Sequence, residues 1–189
     1  MSTKLNVKIL VLGPKNVGKT NISNLIAGTI EKPSERYEPT VGLRILEVFT
    51  TPATKIKNVG DKLLVELWDV SGDRRYEETW PAIWKDADGI LFVFDADDKS
   101  QPKEMEIWYR SFAMPAELSA KHCRVFAHHK QPHVASSNPI KLGSAFQGIN
   151  VVHTSLDNEV DLIRGEFDSL AQAAIEHASI RLEKSKSKK

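Results

Sequence analysis

The chain carries one cysteine, Cys123, in 189 residues. That excludes an internal disulfide framework and a cysteine pair for structural zinc, and it suits a reducing compartment. No stretch approaches the ~18–20 consecutive apolar residues that span a bilayer. The opening MSTKLNVKILVLG lacks a signal-peptide layout, because its apolar run is short and breaks into a glycine loop. Neither lipidation pattern is present: residue 2 is serine, and the closing EKSKSKK has no cysteine to prenylate. Charge of one sign is also missing. With 26 basic against 25 acidic residues the net charge is +1, so no whole-molecule field calls for nucleic acid. These absences lead us to expect a cytoplasmic protein without a direct lipid anchor.

A hydrophobic fraction of 41% and a charged fraction of 27% are ordinary for a globular domain, and the length suits one such domain. We expect it to span residues 1–180, with 181–189 a lysine-rich, solvated and disordered tail. Apolar runs alternate with helical patterns. Strands are predicted over Leu5–Leu12, Leu43–Thr50, Lys62–Trp68, Gly89–Phe94, Arg124–His128 and Asn150–His153. TPATKIKNVGD, with Pro52 and Gly60, suits a long hairpin connection between the second and third. Helices are predicted over 19–28, over 101–113 (Met105, Trp108 and Phe112 on one face) and over 158–182. Gln131–Gly148 is rich in turn formers and has room for one short helix. Strands alternating with helices predict an α/β fold: a mostly parallel six-stranded sheet covered on both faces.

Between the first strand and the first helix stands Gly13-Pro14-Lys15-Asn16-Val17-Gly18-Lys19-Thr20, followed by Asn21. It matches the phosphate-loop pattern, in which backbone N–H groups and a helix N-terminus cradle phosphate oxygens. Lys19 would lie between the outer phosphates and the Thr20 hydroxyl would ligate magnesium. Downstream, Tyr37-Glu-Pro-Thr40-Val-Gly42 offers a loop threonine that could reach the same metal. Asp69-x-x-Gly72 then supplies a metal-side carboxylate and an N–H for the terminal phosphate. These elements in this order resemble the small GTPases of the Ras superfamily, and VFDADDKS at 93–100 resembles the Rab branch.

Four positions depart from that pattern. Asp73 stands where the water-positioning glutamine would be, so the expected catalytic geometry is compromised. Lys15 replaces a small residue beside the terminal phosphate. The guanine-reading N-K-x-D element is absent: in Ala127-His-His-Lys-Gln-Pro132, Lys130 takes the lysine place, His129 replaces asparagine and Pro132 replaces aspartate. Charge-assisted hydrogen bonds are worth ~1.5–3 kcal/mol, so losing that aspartate should weaken binding and relax base choice. His153-Thr154-Ser155-Leu156 is a reduced form of the last base-contacting element, whose backbone at Ser155 and Leu156 could still meet the base. We expect loose binding of GTP and GDP with magnesium, and weak or absent hydrolysis.

Taken together, PTVGLRILE from Pro39, WPAIWKDADG from Trp80, KEMEIWY from Lys103 and AHHK from Ala127 resemble an outlying Rab-like family. That is the Rab-like protein five family, small GTPase subunits of the intraflagellar transport B complex. The resemblance covers roughly residues 5–175. It implies a protein of the cilium or flagellum and its base, monomeric alone, that docks on coiled-coil subunits of the complex with GTP supporting the bound form. Tyr76, Trp80, Ile83 and Trp84 follow Gly72 at helical spacing. This apolar stripe either packs on the helix carrying Met105, Trp108 and Phe112 or forms part of a groove for a partner helix. Three readings stay open on the residues alone: a nucleotide-gated docking module, a working P-loop GTPase or phosphotransferase, and a constitutive scaffold with a structural nucleotide.

Overall fold

The computed structural model describes residues 5–30, 38–54, 61–130 and 140–187. Six strands form one sheet in the order β2-β3-β1-β4-β5-β6, with β1 Val7–Leu12, β2 Leu43–Thr50, β3 Leu63–Val70, β4 Gly89–Asp95, β5 Cys123–His129 and β6 Asn150–Ser155. Every neighbouring pair is parallel except β2 with β3. The expected α/β architecture is therefore the observed one.

Burial explains the strand sequences. β1 (VKILVL) and β4 (GILFVFD) are buried along their whole length, as central strands with both faces covered must be, so they read as mostly apolar runs, broken only by the buried Lys8 in β1 and closed by Asp95 in β4. The edge strand β2 alternates instead, exposing Ile45, Glu47 and Phe49 while burying Leu46, Val48 and Thr50. One apolar layer joins β1 and β3 to helices α1 (Lys19–Ile26) and α4 (Val160–Ser187) through Ile9, Val11, Ile22, Phe167 and Ala174. The opposite layer joins Leu10, Leu12, Phe92 and Phe94 to α2 (Trp80–Trp84) and α3 (Gln101–Trp108).

α3 is regular only to Trp108; Tyr109–Ala113 form a π-helical turn, closed by Met114 N–H donating to the Tyr109 carbonyl at 3.2 Å. Phe112 and Ala113 both stay buried through it, and Tyr109 meets Phe146 at a ring separation of 5.3 Å. The lone Cys123 is buried, and desolvation pushes its thiol up to about 12, which makes it a core residue and not a nucleophile.

The expected tail is partly helix. α4 continues past 180 to Ser187, because Arg181 is held by the carboxylate of the fully buried Asp88 (Nη2 to Oδ2, 2.9 Å) and Leu182 packs against the core. Asp88 also accepts the Lys8 N–H at 3.1 Å and lies 3.0 Å from His177 Nδ1, so one carboxylate ties β1, β4 and α4 together. Within Gln131–Gly148, residues 131–139 lie outside the described residues; the remainder contains one short 3-10 turn at Ser144–Phe146. Tyr37 and residues 55–60 of the hairpin connection also lie outside them.

Candidate functional site

The loop leaving β1 turns into α1 at Gly18, whose φ of 89° lies in the left-handed region that favours glycine. Val17 is buried in the core while Lys15 and Asn16 face outward. Lys19, the first residue of α1, is buried and folds back on the loop, its Nζ donating to the carbonyls of Gly13 (2.8 Å) and Pro14 (2.5 Å). Burial lowers its pKa from 10.5 to about 8, partly opposed by the charge of Asp69. An ammonium desolvated in this way gains most from an anionic ligand.

Beside it, three oxygen-bearing side chains from three segments converge. Thr20 Oγ1 donates to Asp69 Oδ2 at 2.8 Å and lies 2.8 Å from Thr40 Oγ1, and Thr40 Oγ1 reaches the same carboxylate oxygen at 3.5 Å. Asp69 is wholly buried near the end of β3, and desolvation raises its pKa against the pull of Thr20, Lys19 and Arg44. Its other oxygen, Oδ1, is buried without a hydrogen-bond partner among the described residues. Two hydroxyls and a carboxylate with an unused oxygen are the donor set a hard divalent cation takes, so Thr20, Thr40 and Asp69 fit magnesium. The loop amides, Lys19 and the start of α1 likewise fit a polyphosphate.

Gly72 packs against the phosphate loop. A Cβ on it would fall 2.5 Å from the Pro14 carbonyl carbon and the Lys15 nitrogen, so no side chain could stand there. Asp73 follows, bound to Lys15 at 2.9 Å and Arg75 at 2.8 Å. Arg75 above all, then Lys15, holds this carboxyl well below the usual carboxylate range.

The base side is built differently. Lys130 pairs with Asp95 (Nζ to Oδ2, 2.7 Å), and His129 lies between Asp97 (3.1 Å) and His153 (2.9 Å). Ser155 is buried beside His129 in the β5–β6 register, and the Leu156 side chain packs against the core. The ring that packs on the phosphate loop is His128, a residue the motif reading passes over. A Cβ on Gly18 would lie 2.6 Å from His128 Cδ2, while His128 Nδ1 lies 3.1 Å from Thr154 Oγ1. Burial lowers its pKa to about 4, so it is neutral near pH 7. Strand alternation was the available signal: adjacent residues of β5 face opposite sides, so His128 and His129 cannot share a task.

Of the aromatic stripe after Gly72, Trp80 is a core residue. It is 5% exposed, with its ring 5.0 Å from both Trp108 and Phe112, which removes it from the expected partner-facing set. Tyr76 and Trp84 are half-buried, and Trp84 packs against the same layer. The exposed large apolar side chains of this edge are instead Val41, beside Thr40, and Ile45 and Phe49 along β2.

A mostly parallel sheet with a phosphate loop after its central strand, and a threonine and an aspartate brought to that loop, defines a small GTPase. Residues 8–130 match the family described as Ras of Complex, Roc, domain of DAPkinase. The chain is 37% identical to the Homo sapiens intraflagellar transport protein 22 homolog over 175 residues, covering 93% of each chain. It belongs to the intraflagellar transport protein 22 family. The family protein of Trypanosoma brucei brucei is 36% identical, with 89% of this chain and 86% of that one covered. Among solved structures, the GTP-bound T. brucei IFT22/74/81 crystal structure superposes with a TM-score of 0.72 at 36% identity, covering 94% of this chain and 98% of that one. The GDP-bound T. brucei IFT22 structure gives 0.69 at 37% identity, covering 90% and 97%.

Proposed function

We propose that this chain is a guanine-nucleotide-gated docking subunit of an intraflagellar transport B complex, working in the cilium or flagellum and supplied from the cytoplasm. The observation that carries the reading is the convergence of Thr20, Thr40 and the half-unsatisfied Asp69 beside a buried, desolvated Lys19. Bound magnesium supplies charge neutralisation of the outer phosphates. The chain's own contribution is to hold the ligand: Thr20, Thr40 and Asp69 take the metal, Lys19 and the loop amides take the phosphates, and Gly72 meets the last of them.

Hydrolysis is slow in this reading. The side chain after Gly72 is an anion engaged by Lys15 and Arg75, so it repels the phosphoryl group and is not available to orient water. The output is binding to a partner. Ile45 and Phe49 on β2 stand opposite Trp68 and Leu64 on β3, and opposite residues of an antiparallel pair share one face. With Ile45 52% and Phe49 67% exposed, this sheet face supports docking of coiled-coil partner subunits, continuous with the segment that carries Thr40.

Partner capture by the purified chain loaded with GTP, loaded with GDP, or stripped of nucleotide and magnesium tests the reading. At least tenfold tighter capture with GTP is expected, an energy of about 1.4 kcal/mol. Equal capture in all three states would leave a constitutive scaffold. Single-turnover hydrolysis within minutes, without any activating protein, would make the chain a working enzyme.

A further inference from the structure

Charge as well as close packing joins the phosphate loop to the segment after Gly72. Lys15 Nζ lies 2.9 Å from Asp73 Oδ2, and Arg75 brings Nη2 and Nε each to 2.8 Å from the same oxygen. Asp73 Oδ1 accepts the Arg75 backbone N–H at 3.1 Å, and the Asp73 N–H donates to Ser71 Oγ at 3.2 Å. The carboxylate is thus fixed by three groups beside a glycine that touches the Pro14–Lys15 peptide. One full negative charge sits at the junction of loop and sheet end, gripped by a cation from each side. In the nucleotide-binding reading, Gly72 meets the third phosphate.

We infer that Asp73 is an internal stand-in for the terminal phosphoryl group: it occupies Lys15 and Arg75, so a nucleoside triphosphate must displace it and a diphosphate need not. The inference rests on the nucleotide-binding reading above and deepens it. Two like charges cannot share one pair of cations without loss, and a terminal phosphate brings more charge than the carboxylate it meets. Lys15 is free to turn, since its side chain is 58% exposed and Asp73 is its salt-bridge partner here. When Lys15 moves to the phosphate, the segment at Asp73–Arg75 is released from the loop. When no third phosphate is present, the clasp holds that segment closed. The chain therefore carries its own opponent of the triphosphate state, built from the residue that replaces the expected glutamine.

The test is the ratio of triphosphate to diphosphate affinity, measured on the full chain with fluorescently labelled guanosine nucleotides and magnesium. Asp73→Asn keeps the shape and removes the charge. It should raise the ratio about five- to tenfold, in the range expected for a partly exposed charge-assisted pair, with diphosphate affinity changed less than about twofold. In a Lys15→Met background, where Asp73 withholds only Arg75, the same substitution should still raise the ratio, but by clearly less than in the natural chain, about twofold to threefold. Asp73→Glu, which retains the charge, should stay near the natural chain and guards against a change that merely disturbs folding. An unchanged ratio in Asp73→Asn with both nucleotides bound, or an equal gain with and without Lys15, overturns the inference. Failure of the natural chain to hold either nucleotide overturns the nucleotide reading itself, and this one with it.

Discussion

Around the phosphate loop, Lys19, Thr20, Thr40 and Asp69 approach within hydrogen-bonding range of the loop or of one another. Around the end of β5 the corresponding ground is held by His128, His129 and His153, linked to Thr154 and Asp97. The residues of the first group fit a magnesium-bound polyphosphate; in the second, His129 and Lys130 stand where the sequence pattern expects asparagine and lysine. Phosphate recognition rests on backbone amides, one lysine and a metal site, and few side chains can substitute for these. Base recognition rests on hydrogen bonds at a strand end, where different side chains can fill the same volume.

The largest effect should come from Lys19→Ala. Removing the ammonium would take away the side-chain contact proposed for the outer phosphates, and nucleotide retention after gel filtration should fall at least about a hundredfold. Retention unchanged by this variant would end the division between the halves. Next comes His128→Ala on the other side. It removes a buried ring from the flank of Gly18 and leaves the Thr154 hydroxyl without that partner, so chemical denaturation should show a loss of about 2 kcal/mol. If the loss appears only with nucleotide bound, His128 belongs to the ligand and not to the scaffold. A smaller effect is expected from exchanging the base. With no aspartate to accept two N–H bonds, GTP and ATP should differ by no more than about tenfold in competition binding. Discrimination above a thousandfold would place a hidden guanine reader in the base half.

The smallest effect is with pH. Lys19 has its pKa lowered to about 8 from 10.5, so between those values the folded, ligand-free chain binds fewer protons than the unfolded one. Its stability accordingly rises with pH across that window, as the cost of burying the charged amine is relieved. Nucleotide binding needs the ammonium, takes up a proton there, and should weaken about fivefold between pH 8 and pH 9. Calorimetry in buffers of different ionisation enthalpy measures the proton directly. No uptake would mean that Lys19 does not meet the phosphates.

Much of this was legible beforehand. Strands β1, β2 and β4 could be read because burial on both faces or on one face leaves an unmistakable pattern in VKILVL, LRILEVFT and GILFVFD. The phosphate loop was legible because its chemistry needs particular residues at fixed spacing. Trp80 was not, since an aromatic residue at helical spacing suits a core and a docking groove equally, and only Trp108 and Phe112 on another helix decide. Nor was the helical course of 181–187, whose hold depends on Asp88, a residue far away in sequence.

The amino-acid sequence by itself determined the alternation of strands and helices, the phosphate-loop pattern and the departure of Ala127–Pro132 from the N-K-x-D spacing, because each is written in local pattern or in residue identity. Tertiary structure alone decided that His128 packs on Gly18, that Asp73 joins Lys15 to Arg75, and that the exposed apolar face lies on β2. Those outcomes depend on which side chains meet across the sheet, and long-range approach leaves no mark in the spacing of neighbours along the chain.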